Sequence, residues 1–294
     1  MALTPEACEQ RTILKILAGS HIHGLQAETS DQDFEAIVIE PLSEAVGLGQ
    51  PWEETERIGQ KDAHGHKIAD TKWFSLRKWC RMAAKGNPNF LLMLFAPSTH
   101  LIRHDARGSD LRDMKEAFLS KQAIKPHLGY MQGQRSRMVN HQRAFAEANL
   151  SSNEVAVKFG AGHGRGLPRF ELIEKYGYDT KFAMHLLRLG YQGLELAKLG
   201  KITLPIVEED RQLLLKVRRG EFDLPWVLKW ADDLEAAMKA AFDASTLPEH
   251  PDYATIESWM QLTYIRTWTA ERRLQDTIED QTIFGVDPNY GRVQ

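Results

Sequence analysis

The chain has 294 residues, 43% of them apolar and 26% charged, an ordinary globular composition with enough apolar material for a sizeable core. A formal net charge of -3 excludes a protein whose affinity comes from blanket neutralisation of phosphates, while leaving room for local basic patches. Two cysteines, Cys8 and Cys80, are too few for a disulfide framework or a cysteine-based zinc site, in keeping with a reducing compartment.

The opening Met-Ala-Leu-Thr-Pro-Glu has neither the basic start nor the apolar run of a signal peptide. No stretch approaches the roughly 20 apolar residues that span a bilayer, so the expectation is a cytoplasmic protein that does not enter the membrane.

Thr4-Pro5-Glu6 has the cap, first-turn proline and early acid of a helix start, and Ile13 to Ala18 follows as a short buried strand. Gly19-Ser20 interrupts that run. A polar stretch lasts to Ser30, and Phe34 to Ile39 then reads as a second strand, stopped by Pro41. Residues 47–65 mix Gly, Pro, Glu, Trp and His without periodicity and read as a long loop before a third short strand at 67–72. The spacing of Leu76, Trp79, Cys80, Met82 and Ala83 is helical. Gly86-Asn87-Pro88 supplies a stop before the apolar segment 90–95, and the first domain is expected to close near Gly108. Beyond it, helices are expected at 110–119, 121–150, 179–199, 208–218, 224–245 and 252–279, so the remainder of the chain is mainly α, with no fixed-period repeat.

The chemistry concentrates near the front. Asp31 and Asp33 lie two apart at the start of a strand, where a period of two turns both carboxylates to one face. Two like charges there call for a cation. Mg2+, or Mn2+ in its place, suits the site because it takes hard oxygen ligands and shares its shell with substrate phosphates. Asp70, in Ile68-Ala69-Asp70-Thr71-Lys72, is the third candidate carboxylate, on a strand that can lie beside the pair. Gly19 and Ser20 end a strand, where a glycine lets backbone approach a phosphate and the serine hydroxyl donates to it, so the phosphates of an NTP such as ATP are the expected guests.

Gly19-Ser20, Gly24-Leu25 and Ser30-Asp31-Gln32-Asp33 before a β run resemble the signature of the DNA polymerase β-like nucleotidyltransferase superfamily. Three blocks narrow the resemblance to a predicted nucleotidyltransferase family associated with RNA repair: Ser75 to Trp79, Lys85 to Asn89, and Tyr176 to Lys181. Similar stretches continue through Gly129-Tyr130, Gln134-Arg135, Ala183 to Arg188, Val217 to Glu221, Leu247-Pro248 and Pro251-Asp252. The resemblance implies an α+β architecture. A small mixed-sheet catalytic domain, 1–108, would be followed by a mainly helical domain, 109–294, that completes the nucleotide and acceptor cleft. It also implies metal-dependent transfer of a nucleoside monophosphate from an NTP to an acceptor hydroxyl, with pyrophosphate released. The leading acceptor is an RNA end, with a protein or a small molecule as rivals and an inactive nucleotide or RNA sensor as the non-enzyme alternative. Base preference and oligomeric state stay open. One departure is visible: His21-Ile22-His23 follows Gly19-Ser20 where many relatives carry arginine and an aromatic.

Other residues admit two readings. Asp179, Lys181, His185 and Arg188 fall on neighbouring helical turns and can form a polar stripe that binds phosphate. Equally, Asp179 can be a cap with solvated basic neighbours. Arg135 and Arg137 read as solvated helix charges, with nucleotide or RNA binding as the alternative. The glycine-rich stretch 159–166 lacks the lysine of a P-loop and reads as a mobile loop that, with Lys158, Arg165 and Arg169, can fold over an acceptor. The pairs His21/His23 and His64/His66 read as surface turns rather than a transition-metal site. Trp226, Trp230, Trp259 and Trp268 read as packing of the helical region.

Overall fold

The computed structural model describes residues 3–28, 30–61, 67–148 and 169–283. A first helix, α1 (Pro5–Gln10), is capped by the Thr4 hydroxyl, which accepts from the Ala7 amide. Strand β1 (Thr12–Leu17) follows, then a four-residue helix α2 (Gly19–Ile22), strand β2 (Gln32–Val38) and the short helix α3 (Leu42–Val46). Strands β3 (Glu54–Lys61) and β4 (Lys67–Ser75) form an antiparallel pair. Helices α4 (Leu76–Ala84) and α5 (Pro88–Phe95) then lead to the edge strand β5 (Leu101–His104).

The sheet runs β3-β4-β2-β1-β5, with β2 and β4 parallel and every other pair antiparallel. Alternation along the strands gives it two unlike faces. Ile37 and Phe74 are register partners and join the main core with Leu76 and Trp79, whereas Ala36, Val38 and Trp73 turn to the opposite face and pack with Cys8 and Trp52.

The stretch expected to be one long loop, 47–65, contains strand β3. Its signal is weak because it lies at the sheet edge, where polar and charged residues such as Glu54, Glu56 and Arg57 fill both faces, and Gly59, at φ +72°, breaks the register. Residues 62–66 lie outside the described residues. Strand β5 went unread for a similar reason, being four residues long and mostly exposed.

The helical part begins with α6 (Ala106–Asp113), whose cap is Asp105, and a 3-10 turn at Lys115–Phe118, so the continuous helix expected at 110–119 is divided. Next come α7 (Lys121–Ala148), α8 (Phe170–Tyr176) and α9 (Thr180–Leu199), followed by α10 (Glu208–Arg218), α11 (Leu224–Ala244) and α12 (Tyr253–Ile283). Helix α8 was not expected; seven residues are too few for a clear period. Helix α9 is the central one, packed on α7, α10 and α11. One buried cluster runs without a break from Ile13 and Ile37 through Leu186 and Leu187 to Ile256 and Tyr264, so sheet and helices share a core. The four tryptophans pack against that cluster, as their spacing suggests. The architecture is α+β, and among the described residues no helix is long and apolar enough to cross a membrane.

Gly86 fixes the corner between α4 and α5. Its φ is +74°, and a Cβ there would lie 2.2 Å from the Ala123 Cα on α7, so a side chain would meet both backbone strain and a wall.

Helix α12 returns to the sheet and closes over its end. The Tyr264 hydroxyl donates to Glu40 Oε1 at 2.8 Å and accepts from the Arg77 amide at 2.9 Å, while the Trp268 indole donates to the Glu40 carbonyl at 2.9 Å. Glu40 is buried and its Oε2 has no hydrogen-bond partner among the described residues; burial raises its pKa above the usual 4.5 despite the help from Tyr264. Removing that hydroxyl leaves more of a buried acid unsatisfied. Tyr264→Phe is therefore expected to lower the unfolding free energy by about 1–3 kcal/mol in chemical denaturation. Because the folded state holds the Glu40 proton more tightly, its contribution is present below pH 4.5 and is lost as pH rises through the raised value. Unfolding curves of Glu40→Gln and the parent should diverge over that interval in favour of the variant, and parallel curves would contradict this.

Candidate active site

The register of β2 against β4 pairs Asp33 with Asp70, one residue beyond the partners Gln32 and Ala69. Strands so paired lie about 4.8 Å apart, and in a parallel pair partner side chains rise from the same face. Asp31 stands just ahead of β2, and carboxylate oxygens of Asp31, Asp33 and Asp70 lie within 4.8 Å of one another. The Gly59 amide donates to Asp70 Oδ1 at 2.7 Å and fixes one oxygen of that carboxylate. All three are partly exposed, as groups facing a cleft must be.

Gly19 completes this wall. Its φ is +60°, and a Cβ there would lie 2.1 Å from Asp33 Oδ2, so only a hydrogen fits between the backbone and the carboxylate. The Ala18 amide donates to the Asp33 carbonyl at 2.7 Å and holds the two segments together. Gly19 and Ser20 do not simply end the strand as expected: they begin α2, which brings Ser20 into the same cleft.

The cleft has a volume of about 620 Å³, within the usual range for small-molecule sites. One wall carries Ser20, Asp31, Asp33 and Asp70; the other carries Lys181, His185 and Arg188 from α9, with Arg218 and Arg219 from the end of α10. The two walls are opposite in charge. Burial lowers the pKa of Lys181, the neighbouring Arg169 and Arg218 lower it further, and Asp31 and Asp33 partly offset the effect. Burial likewise lowers Arg218, with Arg169 adding to it. Burial and then the charge of Arg188 drive His185 well below the ordinary imidazole value, so it is neutral. Cations crowded enough to depress one another mark a place where an anion relieves the repulsion.

Asp179 sits differently from the rest of its stripe. It is fully buried, its Oδ1 accepts from the Lys181 and Phe182 amides, and its Oδ2 accepts from the amide and guanidinium of Arg169. It caps α9 and does not line the cleft. Arg135 pairs with Asp232 on α11, and Arg137 is exposed on α7. The glycine-rich stretch 159–166, with Lys158 and Arg165, lies outside the described residues, as do His64 and His66.

His23 corrects the expectation of surface turns. It is 5% exposed and faces Arg188, because the turn after α2 folds inward against α9 and the Ile206 amide bonds its carbonyl. Gln192, which the sequence pattern did not single out, also belongs here, accepting from Arg188 at 3.0 Å. Its signal was the continuation of the stripe 181, 185, 188 by one further turn.

The oxygen-rich donor set fits a hard divalent cation, since three carboxylates converge beside cationic groups that can hold the phosphates such an ion shares.

A nucleotidyltransferase-like protein from Exiguobacterium sibiricum, of known crystal structure, aligns over 81% of this chain and 71% of its own at 12% identity, with a TM-score of 0.29. A protein described as an uncharacterized 38.9 kDa protein in the nrdC-mobD intergenic region of Enterobacteria phage T4 is 26% identical over 135 residues. That alignment takes in 43% of this chain and 38% of the phage protein, so the chain spans well under half the length of this relative. Over residues 3–261 the sequence matches RlaP, the RNA repair pathway DNA polymerase beta family, and the chain belongs to that family.

Proposed function

We propose that the protein transfers a nucleoside monophosphate from an NTP to an acceptor hydroxyl, in a reaction that depends on Mg2+ or Mn2+. The convergence of Asp31, Asp33 and Asp70 opposite a cationic wall carries this reading. Residues 1–108 would supply the carboxylates and residues 109–294 the facing wall.

The three carboxylates would hold the metal, which when bound supplies charge neutralisation at the transferring phosphate and activation of the attacking oxygen. The acceptor oxygen attacks the α-phosphorus as its proton leaves to solvent. The bond from the α-phosphorus to the bridging oxygen breaks, and pyrophosphate departs with the electron pair. Ser20 and the backbone beyond Gly19 line the polyphosphate from one side. Lys181 and Arg188 face it from the other, donating charge-assisted hydrogen bonds. His185, being neutral, serves as a hydrogen-bonding group. Asp179 acts indirectly, by capping α9 and holding Arg169. Preorganised donors of this kind favour charge that develops in the transition state.

An RNA end is the acceptor we favour, because the family is that of an RNA repair pathway. The modest acidity of the chain keeps transfer to a protein or small molecule as the second reading.

Incubating the protein with each labelled NTP and a panel of RNA, DNA and protein acceptors tests this. Metal-dependent label on RNA, abolished by EDTA and lowered by at least about a thousandfold in Asp33→Asn, is expected. Label on protein alone would favour the second reading, and no transfer to any acceptor would overturn the proposal. Gly19→Ala is expected to lose transfer almost as completely while folding normally by circular dichroism, because its methyl group displaces the Asp33 carboxylate. Full activity in that variant would contradict the geometry.

A further inference from the structure

A guanidinium withdrawn from water ordinarily meets a carboxylate, because an uncompensated buried charge is costly. Arg188 is an exception. It is 7% exposed, and burial pulls its pKa down to about 10, so it stays charged at neutral pH with no acid among the described residues to offset the cost.

Among the described residues its hydrogen-bond partners are neutral. Nη1 donates to His23 Nε2 at 2.8 Å and to Gln192 Oε1 at 3.0 Å, while its buried Nε has no partner. Nearby imidazoles come from three elements: His23 from the turn after α2, His185 from α9 itself and His127 from α7. Each is held below the ordinary imidazole value, mainly by burial, and so adds no charge. Arg188 and His185 both line the cleft, and His185 Nδ1 is a second buried polar atom there without a partner among the described residues. The unmet donor and the uncompensated charge therefore sit at the site itself.

We propose that His23 and Gln192 are positioning residues that fix Arg188 through neutral acceptors, leaving its charge for the polyphosphate of the nucleotide. An aspartate or glutamate in either place would hold the side chain as firmly but neutralise it in advance. The turn after Gly19-Ser20 thus supplies no cation of its own; it supplies the acceptor that aims one from α9. Lys181 and Arg188 lie seven residues apart on that helix, about 10 Å along its axis, so the stripe runs from Lys181, within the influence of Asp31 and Asp33, to the buried Arg188. This inference rests on the polyphosphate reading of the cleft given above, but not on the identity of the acceptor or on transfer taking place.

The test is binding of inorganic tripolyphosphate, with magnesium, to the full chain by calorimetry, with thermal unfolding as the check on folding. Gln192→Glu puts a carboxylate oxygen beside Arg188 at nearly unchanged shape. It is expected to unfold no lower than the parent yet bind tripolyphosphate at least about tenfold more weakly. His23→Leu, which removes the acceptor, should also lose about tenfold, and His23→Gln, which restores a neutral one, should recover most of it. A merely structural role predicts parent-like binding for Gln192→Glu, since a buried ion pair would serve the fold at least as well. Parent-like affinity in folded Gln192→Glu, or equal affinities in His23→Leu and His23→Gln, would overturn the proposal, as would no binding by the parent. If binding follows the expected pattern while no acceptor is ever labelled, the positioning role stands and the transfer reading falls.

Discussion

The in-register parallel pairing of β2 with β4 is the constraint on which the site depends. It sets Asp33 beside Asp70 on one face of the sheet and turns Trp73 and Ala36 to the other. Side chains alternate along a strand, so a slip of one residue would send Asp70 to the face that packs on Cys8 and Trp52. The register is secured by the unlike apolar surfaces on the two faces, since the same slip would take Phe74 out of the main core and carry Lys72 to the face packed on Cys8 and Trp52. Three converging acids are an electrostatic cost to the isolated fold. That cost persists where a surrounding structure over-determines the geometry. Gly19 packed against the Asp33 carboxylate and the Gly59 amide on Asp70 are two parts of that enforcement.

The cationic wall depends on a different device. Helix α9 is buried on most sides and anchored at its start by Asp179, whose carboxylate caps two amides and binds Arg169. A helix so fixed presents Lys181, His185 and Arg188 at set heights, and α10 adds Arg218 and Arg219 at its end. Because the sheet and α9 share one continuous core, the separation of the two charged walls is set by apolar packing rather than by attraction between them. Helix α12 reinforces the sheet end of the same body through Tyr264 and Trp268 on Glu40.

Much of this was legible in the residues. The strands carrying the acids and the principal helices from 121 onward follow from periodicity and breakers, the α+β class follows from the family resemblance, and the spacing of Asp31 and Asp33 says they share a face. The proximity of Asp70 depends on a parallel pairing between distant segments, which local pattern only permits. Strand β3 escaped notice because an edge strand with polar residues on both faces has no apolar alternation. The burial of His23 is not legible locally, because a histidine between glycines and polar residues looks solvated until a helix some 160 residues later covers it. The role of Asp179 as a cap could be read locally, since the cap and the first-turn amides are adjacent in sequence.

The proposed chemistry depends above all on Asp31, Asp33 and Asp70 acting as one metal site that is completed by nucleotide. Manganese(II) binding followed by electron paramagnetic resonance tests this without any acceptor. The parent chain should bind manganese, more tightly when an NTP is present, and Asp33→Asn and Asp70→Asn should each lose that binding while remaining folded. Unaltered manganese binding in both variants, or none in the parent even with NTP, would contradict it.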